Sequence, residues 1–227
     1  MIDASQEITK SYKGSLDMPT LKEQAYESLK EQIMEAEPGT MFSVRKSAKE
    51  LGLSYTPVRE ALVKLQNEGL LEVVSNVGFS VLRIDMKMIQ NIYQSRECVE
   101  HYVLPKVLDK IDEDDILVLR AFVVRQKKAM ERKDISLYTE VDAEFHIYLI
   151  DLLQNKQLSD FYRSVRSQYR VGSRKIVKKH SSLPIEEHER FLKLVEEKKF
   201  DEALECMYQH TSAAVERMKD GYVQIGL

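Results

Sequence analysis

Apolar residues recur every three or four positions along most of the chain, and one short stretch near residue 75 breaks that rhythm. In TLKEQAYESLKEQIMEA, Leu21, Ala25, Leu29 and Ile33 fall on one helical stripe that Pro38-Gly39 brings to an end. The pattern then predicts a short helix over Val44 to Leu51, a turn at Gly52, and a helix from about Thr56 to Glu68 that closes at Gly69. Next the period changes. LLEVV and FSVLRI surround Ser75-Asn76-Val77-Gly78, which reads as a short β-hairpin with Gly78 available for a positive φ. Three helices followed by a hairpin is the order of a winged helix-turn-helix.

After the hairpin, helical spacing resumes and persists. Six amphipathic helices are expected, at roughly 85–110, 112–133, 135–154, 156–179, 184–198 and 199–219, with no strand-like alternation between them. Asp112 and Asp134 suit N-caps, Pro184 suits a helix start, and Pro105 should kink or interrupt the first long helix. Glycine follows the same division: Gly39, Gly52, Gly69 and Gly78 punctuate the first third, whereas between Leu82 and Asp220 only Gly172 occurs. The expected fold is therefore mainly α. A flexible arm (1–18) precedes a winged helix-turn-helix (19–83), and an all-helical antiparallel bundle (84–227) follows.

Composition narrows the function classes. No stretch approaches the roughly 18 uncharged apolar residues of a membrane span, and MIDASQEITKSYKGSLD lacks the apolar region of a signal peptide, so a cytoplasmic location is expected. Cys98 and Cys206 sit in apolar helical patterns and read as reduced core thiols. A net charge of -3 means that any nucleic-acid contact must come from a local patch. Such a patch exists. Over Ser43 to Gln66, Arg45, Lys46, Lys49, Arg59 and Lys64 face only Glu50 and Glu60. Ala48, Leu51, Val58, Leu62 and Leu65 can join the two helices, which leaves Ser54, Tyr55, Thr56 and Arg59 at the exposed leading end of the second. Arg59 can make a bidentate contact to guanine or phosphate, and the hydroxyls can bond phosphates.

The segments SVRKSAKELGLS, TPVREALVKLQNEGLLE and NVGFSV resemble the GntR family of bacterial transcription regulators. That resemblance implies binding to double-stranded operator DNA through Arg45, Thr56 and Arg59, with Gly78 letting the wing approach the minor groove. Tyr55 stands where many members carry arginine, so the operator sequence does not carry over. One winged helix covers a half-site, which points to a homodimer.

Several polar residues lie on helix faces that should be buried. In YTEVDAEFHIYLI, Asp142 and His146 fall among Tyr138, Val141, Phe145, Leu149 and Leu152. His188 shares a stripe with Ile185, Phe191, Leu192 and Val195, and His210 one with Ala203, Met207, Thr211 and Ala214, whereas His101 points away from its stripe and His180 follows a lysine-rich helix end. One carboxylate and three imidazoles projected into one core suit a divalent ion, zinc first, with nickel or manganese as alternatives. Arg96 falls on the stripe Ile89, Ile92, Val99, Val103. Its countercharge is either Glu100 one turn on or the carboxylate of a ligand. Arg163, Arg166, Arg170 and Arg174 form a further stripe, expected to be mainly solvated because Phe161, Val165 and Tyr169 mark that helix's apolar side; Arg166 and Arg170 are kept as secondary effector candidates.

Asp142 and His146, His188 in EEHERFLKLVEE and His210 after DEALECMYQH resemble the helical FCD effector domain of the FadR subgroup. The resemblance implies that these four residues hold a divalent ion that helps bind a small organic or sugar acid. A sensor of the metal itself is a second reading. A metal-dependent hydrolase is a third, with Glu144 or Glu189 as its base, although no HExxH arrangement is present.

Overall fold

The computed structural model describes residues 19–83, 85–173 and 183–224. Its N-terminal part runs α1 (Leu21–Glu35), β1 (Met41–Phe42), α2 (Val44–Leu51), α3 (Tyr55–Asn67), β2 (Leu71–Val74) and β3 (Gly78–Val81). Six helices follow: α4 (Met86–Val107), α5 (Glu113–Glu131), α6 (Ile135–Asp151), α7 (Lys156–Ser173), α8 (Leu183–Glu196) and α9 (Phe200–Gln224).

Local chemistry sets most helix starts. Thr20 and Glu23 cap α1 reciprocally, Asp112 and Asp115 do the same for α5, and Ser43, Asp85 and Asp134 accept the backbone N–H three residues on. Gly52 ends α2 at φ 65°, the left-handed conformation that a residue without Cβ adopts at no cost.

The wing contains one strand more than the alternation pattern implies. β1 pairs antiparallel with β3 (Met41 opposite Ser80, Phe42 opposite Phe79), and β2 flanks β3 on its other side (Leu71 opposite Val81, Val74 opposite Gly78). Gly78 has φ 144°, and a Cβ there would lie 2.5 Å from the Phe42 carbonyl oxygen, so both its conformation and the β1–β3 approach exclude a side chain. Ala25, Leu29, Ile33, Val58, Leu62, Leu65, Leu70 and Val81 form the core beneath this sheet. Leu21, assigned to that core by its spacing, is exposed at the helix start; Tyr26 takes the place and donates to Glu68 at 2.8 Å.

In the bundle, α5 packs on α6 and α8, α4 on α7 and α9, α6 on α7, and α8 on α9. Three sequence expectations change. Pro105 does not interrupt α4: it sits in the last turn, where one lost backbone bond matters little, and the helix passes into a 3-10 turn at Leu108–Lys110. Cys98 is exposed and only Cys206 is buried, because Cys98 falls one position outside the stripe of Ile92, Arg96, Val99 and Val103. On α7 the buried residues are Tyr162, Val165 and Arg166, while Phe161 is exposed. That face is rotated by one residue from the Phe161–Val165–Tyr169 stripe and carries a guanidinium inward. Arg174 and His180 lie outside the described residues.

Candidate functional site

Every cationic or hydroxyl residue proposed to read DNA is exposed on the winged domain. Ser54 is the N-cap of α3 and its hydroxyl makes no capping bond, so it remains available at the helix N-terminus beside Tyr55, Thr56 and Arg59. Arg45 projects from the first turn of α2, next to Ser43. Lys64 is different. It lies in the last turn of α3 with its ammonium 3.8 Å above the Tyr26 ring, and with Lys22, Arg59, Glu60 and Val63 it lines a shallow groove between α1 and α3.

Inside the bundle, three of the four proposed metal ligands come together: one ring nitrogen each from His146 (α6), His188 (α8) and His210 (α9) lie within 4.8 Å of one another. Asp142 stands beside this group, its Oδ1 3.9 Å from His188 Nε2. All four residues are buried. His101 is exposed and stacks on Tyr208, 3.7 Å between ring centroids, away from this group.

Neighbouring groups fix which imidazole nitrogen is free. Glu187 is kept ionised, since its hydrogen bond from His210 and the Arg217 guanidinium outweigh the burial that opposes ionisation. An ionised carboxylate only accepts, so His210 Nδ1, 2.7 Å from Glu187 Oε2, carries a proton. His188 Nδ1 faces Gln126 Oε1 at 3.1 Å, which leaves its Nε2, and that atom has no hydrogen-bond partner among the described residues. His146 Nε2 lies 3.1 Å from His210 Nε2. Orientation of a ligating ring by a carboxylate or amide on its other nitrogen is the usual support of a metal site. Burial, with Arg96 and Arg166 nearby, pushes His146 well below its ordinary 6.5. Burial and His210 do the same for His188, so both rings are neutral and able to ligate at pH 7. The donor set fits a divalent cation.

Two arginines and two acids surround these rings. Arg166 pairs with Asp142 Oδ2, and Gln126 Nε2 donates to Asp142 Oδ1 at 3.3 Å. Burial alone would raise the Asp142 carboxyl; the Arg166 charge overcomes it and holds the group at about 2. Arg96 Nε donates to Glu100 Oε1 at 3.2 Å, so the internal countercharge is the one found here. Tyr162 donates to the same Glu100 oxygen, and Thr211 donates to the other at 2.6 Å. Both guanidiniums flank the Tyr169 ring, at 5.8 Å for Arg96 and 5.2 Å for Arg166. Among the described residues, Arg166 Nε and Nη1 are buried without hydrogen-bond partners, and Arg96 Nη2 lies 3.2 Å from Glu100 Oε1 as an ion pair without hydrogen-bond geometry. Arg170 points to Glu140 at 3.1 Å at the edge of this group.

Sequence reasoning passed over Gln126, Tyr162, Thr211, Glu187 and Arg217. Gln126 had a usable signal: like Asp142, it is a polar residue on the buried stripe of its helix, with Leu119, Val123 and Ala129. Glu144 and Glu189, considered as general bases, instead form surface ion pairs with Arg125 and Lys127.

One helix touches both domains. From α7, Ser164 Oγ donates to the Glu68 carbonyl at 3.2 Å, at the C-terminal end of α3. Gln168 covers Gly69 so closely that a Cβ there would lie 2.4 Å from its Nε2. Arg166 and Arg170 are on the same helix, directed to Asp142 and Glu140 of α6.

A winged helix-turn-helix with an exposed basic reading helix, joined to a helical domain with a buried polar centre, is the architecture of a DNA-binding regulator. Residues 21–81 match the model of the bacterial regulatory proteins of the gntR family, and residues 91–213 match the FCD domain model. The chain belongs to the GntR family, as a member with an FCD domain, and is a DNA-binding transcription regulator. It is 29% identical over 173 residues to the Nta operon transcriptional regulator of Aminobacter aminovorans, covering 76% of this chain and 81% of that protein. It is also 29% identical over 134 residues to the HTH-type transcriptional repressor RspR of Escherichia coli strain K12, covering 58% and 59%. Among solved structures, E. coli McbR/YncC superposes with a TM-score of 0.78 at 20% identity over 90% of this chain and all of that one, a likeness of fold. These relatives are regulators, not enzymes. Among the described residues no helix is long and apolar enough to cross a membrane.

Proposed function

We propose that this regulator acts as a cytoplasmic homodimer on double-stranded operator DNA, and that it senses a small organic or sugar acid with the help of a divalent cation, zinc in the first instance. Asp142, His146, His188 and His210 would hold the cation. The observation that carries this reading is the His188 Nε2 lone pair, buried without a partner among two further imidazoles and a carboxylate. When bound, the cation supplies a Lewis-acidic position for one oxygen of the acid.

Charge explains why the effector should be an anion. Arg96 and Arg166 balance Glu100 and Asp142, two against two, and His146 and His188 are neutral. Two further positive charges in this buried centre favour an anionic ligand. Arg166 Nε and Nη1 then offer unused donors to a carboxylate, and Arg170 extends the same side. Engagement of Arg166 would bias the position of α7, and Ser164 and Gln168 would carry that bias to the end of the reading helix.

Metal analysis of purified variants tests the centre. His188→Ala should lose bound metal and His101→Ala should keep it; equal content in both and in wild type removes the four-ligand site. Operator affinity in a buffered metal series, with and without candidate acids, tests the effector. Dependence on metal alone would make the ion itself the signal.

A further inference from the structure

Among the described residues, α5 carries an apolar face that no other helix covers. On α5, Leu119, Val123, Gln126 and Ala129 point into the core. The opposite side of the same helix exposes Leu117 (63%), Ala121 and Val124 (49%), with Val118 beside them. Most other large exposed apolar residues are single or belong to the winged domain, such as Tyr55, Val73 and Val77. A contiguous apolar ridge on a helix otherwise rich in charge marks an interaction surface.

The charges at its ends say what fits there. Along this ridge the order is Glu113, Leu117, Ala121, Val124, Lys128, all exposed: acidic at the N-terminal end, basic at the C-terminal end. Glu113 and Lys128 make no ion pair among the described residues. The flanking basic residues are already engaged, Arg120 with Glu196, Arg125 with Glu144 and Lys127 with Glu189. If a second α5 is laid antiparallel on the first about an axis next to Ala121, Leu117 meets Val124 of the copy, and Glu113 meets Lys128, twice each by symmetry. Ala121 at the centre lets the two backbones approach closely. Antiparallel dipoles reinforce the pairing, and a two-fold contact uses one patch against itself.

We infer that the α5 ridge is the two-fold contact between the helical domains of the homodimer. The inference rests on the homodimer reading above and specifies its face. Sedimentation velocity of the full chain over a concentration series tests it. Val124→Glu, at an exposed position that leaves the core intact, should weaken self-association at least about a hundredfold, since each dimer receives the charge twice. Glu113→Lys and Lys128→Glu each set like charges opposite one another and should weaken it about tenfold, while the double reversal should return to near wild type. That restoration cannot arise from misfolding. A wild-type chain that stays monomeric overturns both the dimer and its face. A wild-type dimer unaffected by Val124→Glu and by the single reversals leaves the dimer standing and overturns the α5 face.

Discussion

Replacing Asp142 with asparagine separates what the buried centre does for stability from what it does for metal. The side chain keeps its shape and an oxygen for Gln126, but Arg166 loses its only charge partner within hydrogen-bonding distance among the described residues. The carboxyl is held at about 2 instead of 3.8; at about 1.4 kcal/mol per pH unit the difference is worth about 2 kcal/mol. Because the folded value is depressed, this contribution is present in full above pH 3.8 and fades as pH falls toward 2. Stranding a fully buried guanidinium sets the upper end, since breaking a buried pair costs roughly 3–5 kcal/mol. Urea denaturation at pH 7 with a chelator present should therefore show a loss of roughly 2–5 kcal/mol. Adding zinc at a hundred times its dissociation constant should return about 2.7 kcal/mol to the wild type and much less to the variant. A chelated variant within about 1 kcal/mol of wild type would refute the ion-pair argument. An undiminished zinc increment would refute Asp142 as a ligand.

Three other outcomes are expected. Arg59→Ala should weaken operator binding by about 1–3 kcal/mol or more in a fluorescence-anisotropy titration, with unchanged helical circular dichroism; full affinity would remove α3 as the reading helix. Gly78→Ala should destabilise the winged domain by about 1–3 kcal/mol, because the φ of 144° and the 2.5 Å approach to the Phe42 carbonyl oxygen both penalise a Cβ; a neutral melting temperature would contradict the β1–β3 contact. Burial first, and after it Tyr169 for Tyr93, Asp142 for Tyr138 and Glu100 for Tyr162, push these three phenols above the ordinary 10, while Tyr148 is raised to about 12 by burial and its bond to Asp115. Their contribution to stability is complete below pH 10 and is lost as pH climbs through the folded-state values. Absorbance at 295 nm should accordingly show a late tyrosinate class appearing together with unfolding, and simple titration of every phenol near pH 10 would be the contrary result.

Helix positions, caps at Asp112 and Asp134, and the wing were legible because each has a local cause: a 3.6-residue period, a side chain that accepts an N–H three residues on, or an alternation of two. The burial of Asp142, His146, His188 and His210 was legible for the same reason, since they are polar residues on apolar stripes. β1 was not, since a strand of two residues has no period to detect. The inward face of α7 was misread because steps of four residues drift by about 40° each, so Phe161, Val165 and Tyr169 do not share one line. The support of His210 by Glu187 and Arg217 was invisible in another sense: a pairing across 30 residues leaves no local pattern at all.

Two contacts that α7 makes with the winged domain, at Ser164 and Gln168, bracket Arg166 within five residues. If Arg166 receives the proposed effector, sensing and reporting would be tied by helical register rather than by a long relay. One residue inserted between Arg166 and Gln168 would turn the outward contact by about 100° relative to the guanidinium while leaving each domain its own core. Such a chain would keep its ability to hold DNA and its buried centre, and would lose the conversation between them.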